Sequence, residues 1–148
     1  MAVSNFDAYG QDPFSGDARI YGARGYTAAA VEILTPWLTS EWSGGLRRID
    51  GVPAEVAEHI ATQHLPTTLT EELMENYPPM LELVAVAVTL PDAHLHGYIV
   101  EEDRGDERVT LDGLCWHGTR KDAAALLKKY RPASAGPESG WFKVWWHH

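Results

Sequence analysis

Residues 80–90 read Met-Leu-Glu-Leu-Val-Ala-Val-Ala-Val-Thr-Leu, and the fold class turns on this run. It is rich in β-branched residues and apolar on both faces, which predicts a central strand covered on both sides. Tyr77-Pro78-Pro79 ends the helix before it and Pro91-Asp92-Ala93 turns the chain after it. His94 to Glu101 reads as a second strand and Glu107 to Trp116 as a third. Asp103-Arg104-Gly105-Asp106 joins them as a charged turn, with the glycine supplying a positive φ. Three strands on short turns predict an antiparallel meander.

Upstream the period is helical. Thr27 caps a helix that runs to about Trp42, with Val31, Leu34 and Leu38 on one face and a kink at Pro36. Ser43-Gly44-Gly45 ends it. Pro53 opens a second helix to about Gln63, with Val56, Ala57, Ile60 and Ala61 inward. A short third helix begins near Thr68 or Thr70, with Leu69, Leu73 and Met74 inward. Downstream, Thr119 and Asp122 form a reciprocal cap for a helix whose inner face is Ala123, Leu126, Leu127 and Tyr130. Arg131-Pro132 stops it, 133–140 is a Ser/Gly/Pro loop, and 141–146 is a final strand.

The whole predicts one α+β domain over 1–148. It has an irregular docked arm (1–24), a helical half (25–79) and a sheet-forming half (80–148), with the last strand joining one sheet. The arm carries Phe6, Tyr9, Phe14 and Tyr21, too many aromatics for a disordered tail. Asp7, Asp12 and Asp17 recur every five residues, unlike the ligands of a calcium loop.

The 148 residues are 45% apolar and 22% charged, the composition of a globular domain. No apolar run reaches the ~20 residues of a membrane helix. The N-terminal residues lack the basic and apolar regions of a secretory signal. One cysteine, Cys115, excludes an intrachain disulfide. Together these features favour a cytoplasmic location. The net charge of -9 disfavours nucleic acid and anionic membranes.

Two function classes compete. Glu71, Glu72 and Glu75 form one acidic cluster, and 101–107 forms another. Trp141, Trp145 and Trp146 crowd the last strand. Acidic steering with tryptophan anchors suits a non-catalytic protein-binding module, such as an inhibitor, immunity or accessory protein. No cofactor is expected for it, and a homodimer through the last strand is compatible. The alternative is a metal- or histidine-dependent hydrolase. His94 and His96 share one strand face, and Cys115 and His117 share another, with Asp92 near. His94, His96 and His117 are the candidate zinc ligands, and Cys115 is a candidate nucleophile.

Residues 114–120, Leu-Cys-Trp-His-Gly-Thr-Arg, resemble the nicotinamide-ribose-binding His-Gly-Ser/Thr segment of poly-ADP-ribosyltransferases. That resemblance implies that His117 holds a ribose and Gly118 a nicotinamide amide. It is confined to this segment, and neither Tyr130 nor Glu138 stands in the family's downstream context. A strand-to-helix turn accounts for the same residues, with glycine at the turn and threonine at the cap.

Overall fold

A computed structural model describes residues 19–73 and 77–146, with backbone alone for 40–43. It is an α+β fold on one six-stranded antiparallel sheet. The strands are β1 (Leu38–Ser43), β2 (Leu46–Pro53), β3 (His94–Val100), β4 (Arg108–His117), β5 (Ser134–Glu138) and β6 (Trp141–Trp145). Their order is β1-β2-β3-β4-β6-β5. The helices are α1 (Ala28–Leu34), α2 (Ala54–Gln63), α3 (Thr67–Thr70), α4 (Met80–Ala87) and α5 (Ala124–Lys129). No helix among the described residues is long and apolar enough to cross a membrane.

The run at 80–90 is a helix, not the central strand its composition suggests. Met80, Leu83, Val84 and Ala87 are buried, at i, i+3, i+4 and i+7, while Ala85 is exposed. A strand buried on both faces would hide Ala85 as well. Pro79 sits at the N-cap, and its missing amide hydrogen has no partner to lose there. The place beside β3 is taken instead by β2, which pairs along Leu46 to Pro53. The expected three-stranded meander therefore reduces to the β3–β4 hairpin.

β2 escapes period-2 reading because of a bulge. The register shifts between Ile49 and Val52, so both side chains are buried in the same core although three residues apart. β4 repeats the device: a shift opposite His96/Gly97 puts Leu111 and Leu114 on one face.

The helix expected from Thr27 to Trp42 ends at Leu34. Pro36 lies in a 3₁₀ turn at Thr35–Trp37, and the chain leaves it as edge strand β1. Gly44 and Gly45, with φ of 58° and 84°, then close the β1–β2 hairpin as a two-residue turn. Thr27 flanks α1 but makes no cap with its own side chain. The segment expected as a loop at 133–140 contains β5, an edge strand that tolerates Pro137 because its outer side needs no ladder bond. Ser139 and Gly140, both at positive φ, turn it into β6. Gly105 is not among the positive-φ glycines, so the β3–β4 connection does not use the left-handed geometry expected of it.

Two caps agree with expectation. Pro53 precedes α2 directly, and Thr119 with Asp122 forms a capping box ahead of α5. Trp116 Nε1 donates to Thr119 O and Asp122 Oδ2, both at 3.2 Å, which ties this turn to the core.

The core lies between the helices and one sheet face. Ile49, Leu95, Ile99, Leu114, Trp116, Phe142, Val144 and Trp146 meet Leu34, Ile60, Leu83 and Leu126 there. Leu73, expected inward, is 70% exposed. Met74, Glu75 and the arm residues Phe6, Asp7, Tyr9, Asp12, Phe14 and Asp17 lie outside the described residues. Within the arm's described end, Ile20 N donates to Gly105 O, and Arg19 donates to Glu102 O and Arg104 O. Tyr21 OH donates to Glu72 Oε1 at 2.5 Å.

Candidate functional site

Alternation along β6 sends Phe142, Val144 and Trp146 into the core and Trp141, Lys143 and Trp145 to the other face. Trp146 is fully buried and its Nε1 donates to Tyr130 O at 2.9 Å. It is a core residue, which corrects its expected place at a binding surface. Trp141 and Trp145 are half-buried and carry the histidines.

His96 stacks on Trp145 at 5.0 Å between ring centroids, with 24° between planes. Gly113 makes the stack possible, since a Cβ there would come within 2.8 Å of the Trp145 ring. Gly51 N donates to His96 Nδ1 at 3.1 Å, so that nitrogen accepts and the ring is neutral. Burial pushes the His96 pKa down; the Asp50 carboxylate opposes this and nearby Arg48 adds to it. Arg48 lies 5.5 Å over the Trp145 ring and 3.6 Å from Asp112 Oδ2. Arg48, Asp50, Gly51, Asp112 and Gly113 were all missed from sequence. The signal was the Asp50-Gly51 pair inside an otherwise strand-like run, which marks a bulge.

His94 and His117 gather at Trp141 instead, at 5.6 and 3.8 Å between centroids. His117 Nδ1 is 3.0 Å from Asp92 Oδ2, and both side chains are largely exposed. Trp141 and Trp145 are four residues apart, roughly 13 Å along a strand. The histidines thus fall into two groups. Among the described residues, no set of three or more His, Cys, Asp or Glu side chains is placed to hold a metal ion. Cys115 pairs with His94 across the ladder and is buried. Burial pushes its thiol pKa up, the opposite of nucleophile activation.

The acidic candidates divide too. Glu71 is exposed on the turn after α3, whereas Glu72 is engaged by Tyr21. The 101–107 cluster sorts by burial. Glu107 is 1% exposed and accepts Gly25 N at 2.9 Å, Thr27 N at 3.2 Å and Thr27 Oγ1 at 2.6 Å. It holds the start of α1, and is structural. Asp106 lies between Arg104 and Arg108, 3.0 Å from each. Partial burial raises its pKa, but hydrogen bonds from these two guanidiniums hold it below the usual carboxylate range.

The rest of the cluster opens on a groove of about 490 Å³ between α1 and the ends of β2 and β3. Thr27, Ala28 and Val31 form one wall with Glu32, and Arg47, Ile99, Glu101, Glu102 and Asp103 form the other. Asp103 pairs with Arg24 at 2.7 Å. The side chains of Glu32, Glu101 and Glu102 share this groove with Arg47. Glu32 was not singled out from sequence, because only the fold brings α1 beside the turn after β3.

The class these features define is an α+β protein on a six-stranded antiparallel sheet, with an acidic groove at one end. Comparison with protein-family models, curated proteins and solved structures finds no match for the chain.

Proposed function

We propose that the chain is a small, acidic, non-catalytic protein-binding module, acting as an inhibitor, immunity or accessory protein, whose groove beside α1 receives a basic segment of its partner. The observation that carries this reading is the groove itself, with Glu32, Glu101 and Glu102 around apolar Ala28, Val31 and Ile99. Glu32, Glu101 and Glu102 outnumber the Arg47 cation in the groove, which favours an incoming Lys or Arg, and the apolar wall suits the methylene stems. The net charge of -9 steers such a partner inward at long range. Trp141 and Trp145 lie on the opposite sheet face, so they are not anchors of this same contact. The hydrolase alternative has only the His117–Asp92 pair in its favour.

The test is calorimetric titration with an arginine-rich peptide at low and high salt. Wild type is expected to bind saturably, and more weakly as salt rises. Glu32→Lys with Glu101→Lys is expected to weaken binding at least tenfold while leaving the thermal melt unchanged. Equal affinity in the double variant, or no saturable binding at low salt, would overturn the reading.

A further inference from the structure

We propose a second site, independent of the acidic groove: a binding site on the last helix for a small anion carrying two or more phosphates. Arg120, Lys121, Ala124, Leu127, Lys128 and Arg131 line a cavity of about 380 Å³ there. They come from the 3₁₀ turn at Arg120–Ala123, from α5 and from the residues just after it. Arg120 and Lys121 stand on the 3₁₀ turn, Lys128 in the last turn of α5 and Arg131 beyond its end, so the fold brings four like charges to one cavity, where they repel.

Nothing described neutralises them. The chain has 12 Lys and Arg residues. Eight of them engage a carboxylate, a carbonyl or another group of the fold: Arg19, Arg24, Arg47, Arg48, Arg104, Arg108, Lys129 and Lys143. The other four are Arg120, Lys121, Lys128 and Arg131, and all four line this one cavity. The helix dipole compensates cations at the C-terminal end, but Arg120 and Lys121 stand at the start. In a chain of net charge -9, this is a local reversal of the field.

The charge density selects the ligand. One carboxylate brings a single charge and leaves most of the cluster uncompensated. A di- or triphosphate brings several charges in a volume the cavity holds, and arginine forks match phosphate oxygens in pairs.

The experiment is calorimetric titration of the full chain with inorganic tripolyphosphate at low salt, against sulfate at matched ionic strength. Saturable binding is expected for tripolyphosphate, at least tenfold tighter than for sulfate. Lys128→Gln with Arg131→Gln is expected to weaken it at least tenfold, and Lys143→Gln to leave it unchanged. Arg120→Gln at the other end of the groove gives an independent reading should the double variant fail to fold. A parallel arm uses vesicles bearing phosphoinositide headgroups. No saturation, equal binding of sulfate, unchanged affinity in the groove variants, or binding only to the vesicles would overturn the proposal.

Discussion

Glu107 shows how one buried side chain organises its neighbours. Its carboxylate takes three donors from Gly25 and Thr27 and so fixes the turn that leads into α1. Glu107→Ala leaves those donors buried without an acceptor. The expected loss is about 3 kcal/mol of unfolding free energy, read by urea denaturation. A loss under about 1 kcal/mol would mean that water replaces the carboxylate. His96 makes the complementary case. It is neutral and accepts from Gly51 N, and its pKa is lowered by burial. The unfolded chain therefore binds the proton more readily than the folded one. His96 contributes stability that is fully present above about pH 6.5 and is lost as pH falls through its lowered folded value. Thermal melts between pH 7 and 5 should show that fall, and His96→Asn, which accepts without titrating, should flatten it. Asp106 acts in the same direction at lower pH, in the carboxylate range, because its folded pKa is also depressed.

Among the elements, α4 is the one whose identity reorganises the fold. Its composition favours a strand, but its burial pattern is helical. Two substitutions separate these states. Leu83 is fully buried, so Leu83→Ala should cost about 2–5 kcal/mol. Ala85 is exposed, so Ala85→Lys should change stability by less than about 0.5 kcal/mol in chemical denaturation. A large loss for both would indicate a strand buried on both faces. The strands β2 and β4 illustrate the converse. Their bulges place apolar residues three apart on one face, a spacing that resembles a helix. β5 is held by its pairing with β6 rather than by the β propensity of Ser-Ala-Gly-Pro-Glu.

Across the whole molecule the charge is segregated. The acidic groove lies by the turn that enters β4, and the basic groove follows the strand's other end. Ten residues of β4 span roughly 33 Å, more than three Debye lengths at physiological salt. The two sites are thus electrostatically independent under those conditions. Salt should weaken both kinds of binding, and reversing charge at one groove should leave affinity at the other unchanged. The titrations with arginine-rich peptide and with tripolyphosphate measure this directly when each is run on the other groove's variants.

From the sequence by itself came the α+β class, the hairpin of β3 and β4, α2 after Pro53, the Thr119–Asp122 capping box, which heads the 3₁₀ turn leading into α5, and the alternation of β6. Each rests on local signals: prolines and a capping box at helix starts, period-2 alternation, and a charged turn. The candidate site was legible in part. His94, His96 and His117 do share a sheet face, but their division between two tryptophans depends on the β4–β6 register, which no local pattern encodes. Only the tertiary structure decided that 80–87 is a helix, because a short, largely apolar run satisfies either period and the choice falls to what packs against it. The same holds for β1, β2 and β5, whose strand state comes from ladder partners distant in sequence, and for Glu32, which joins the acidic groove only once α1 lies beside the turn after β3.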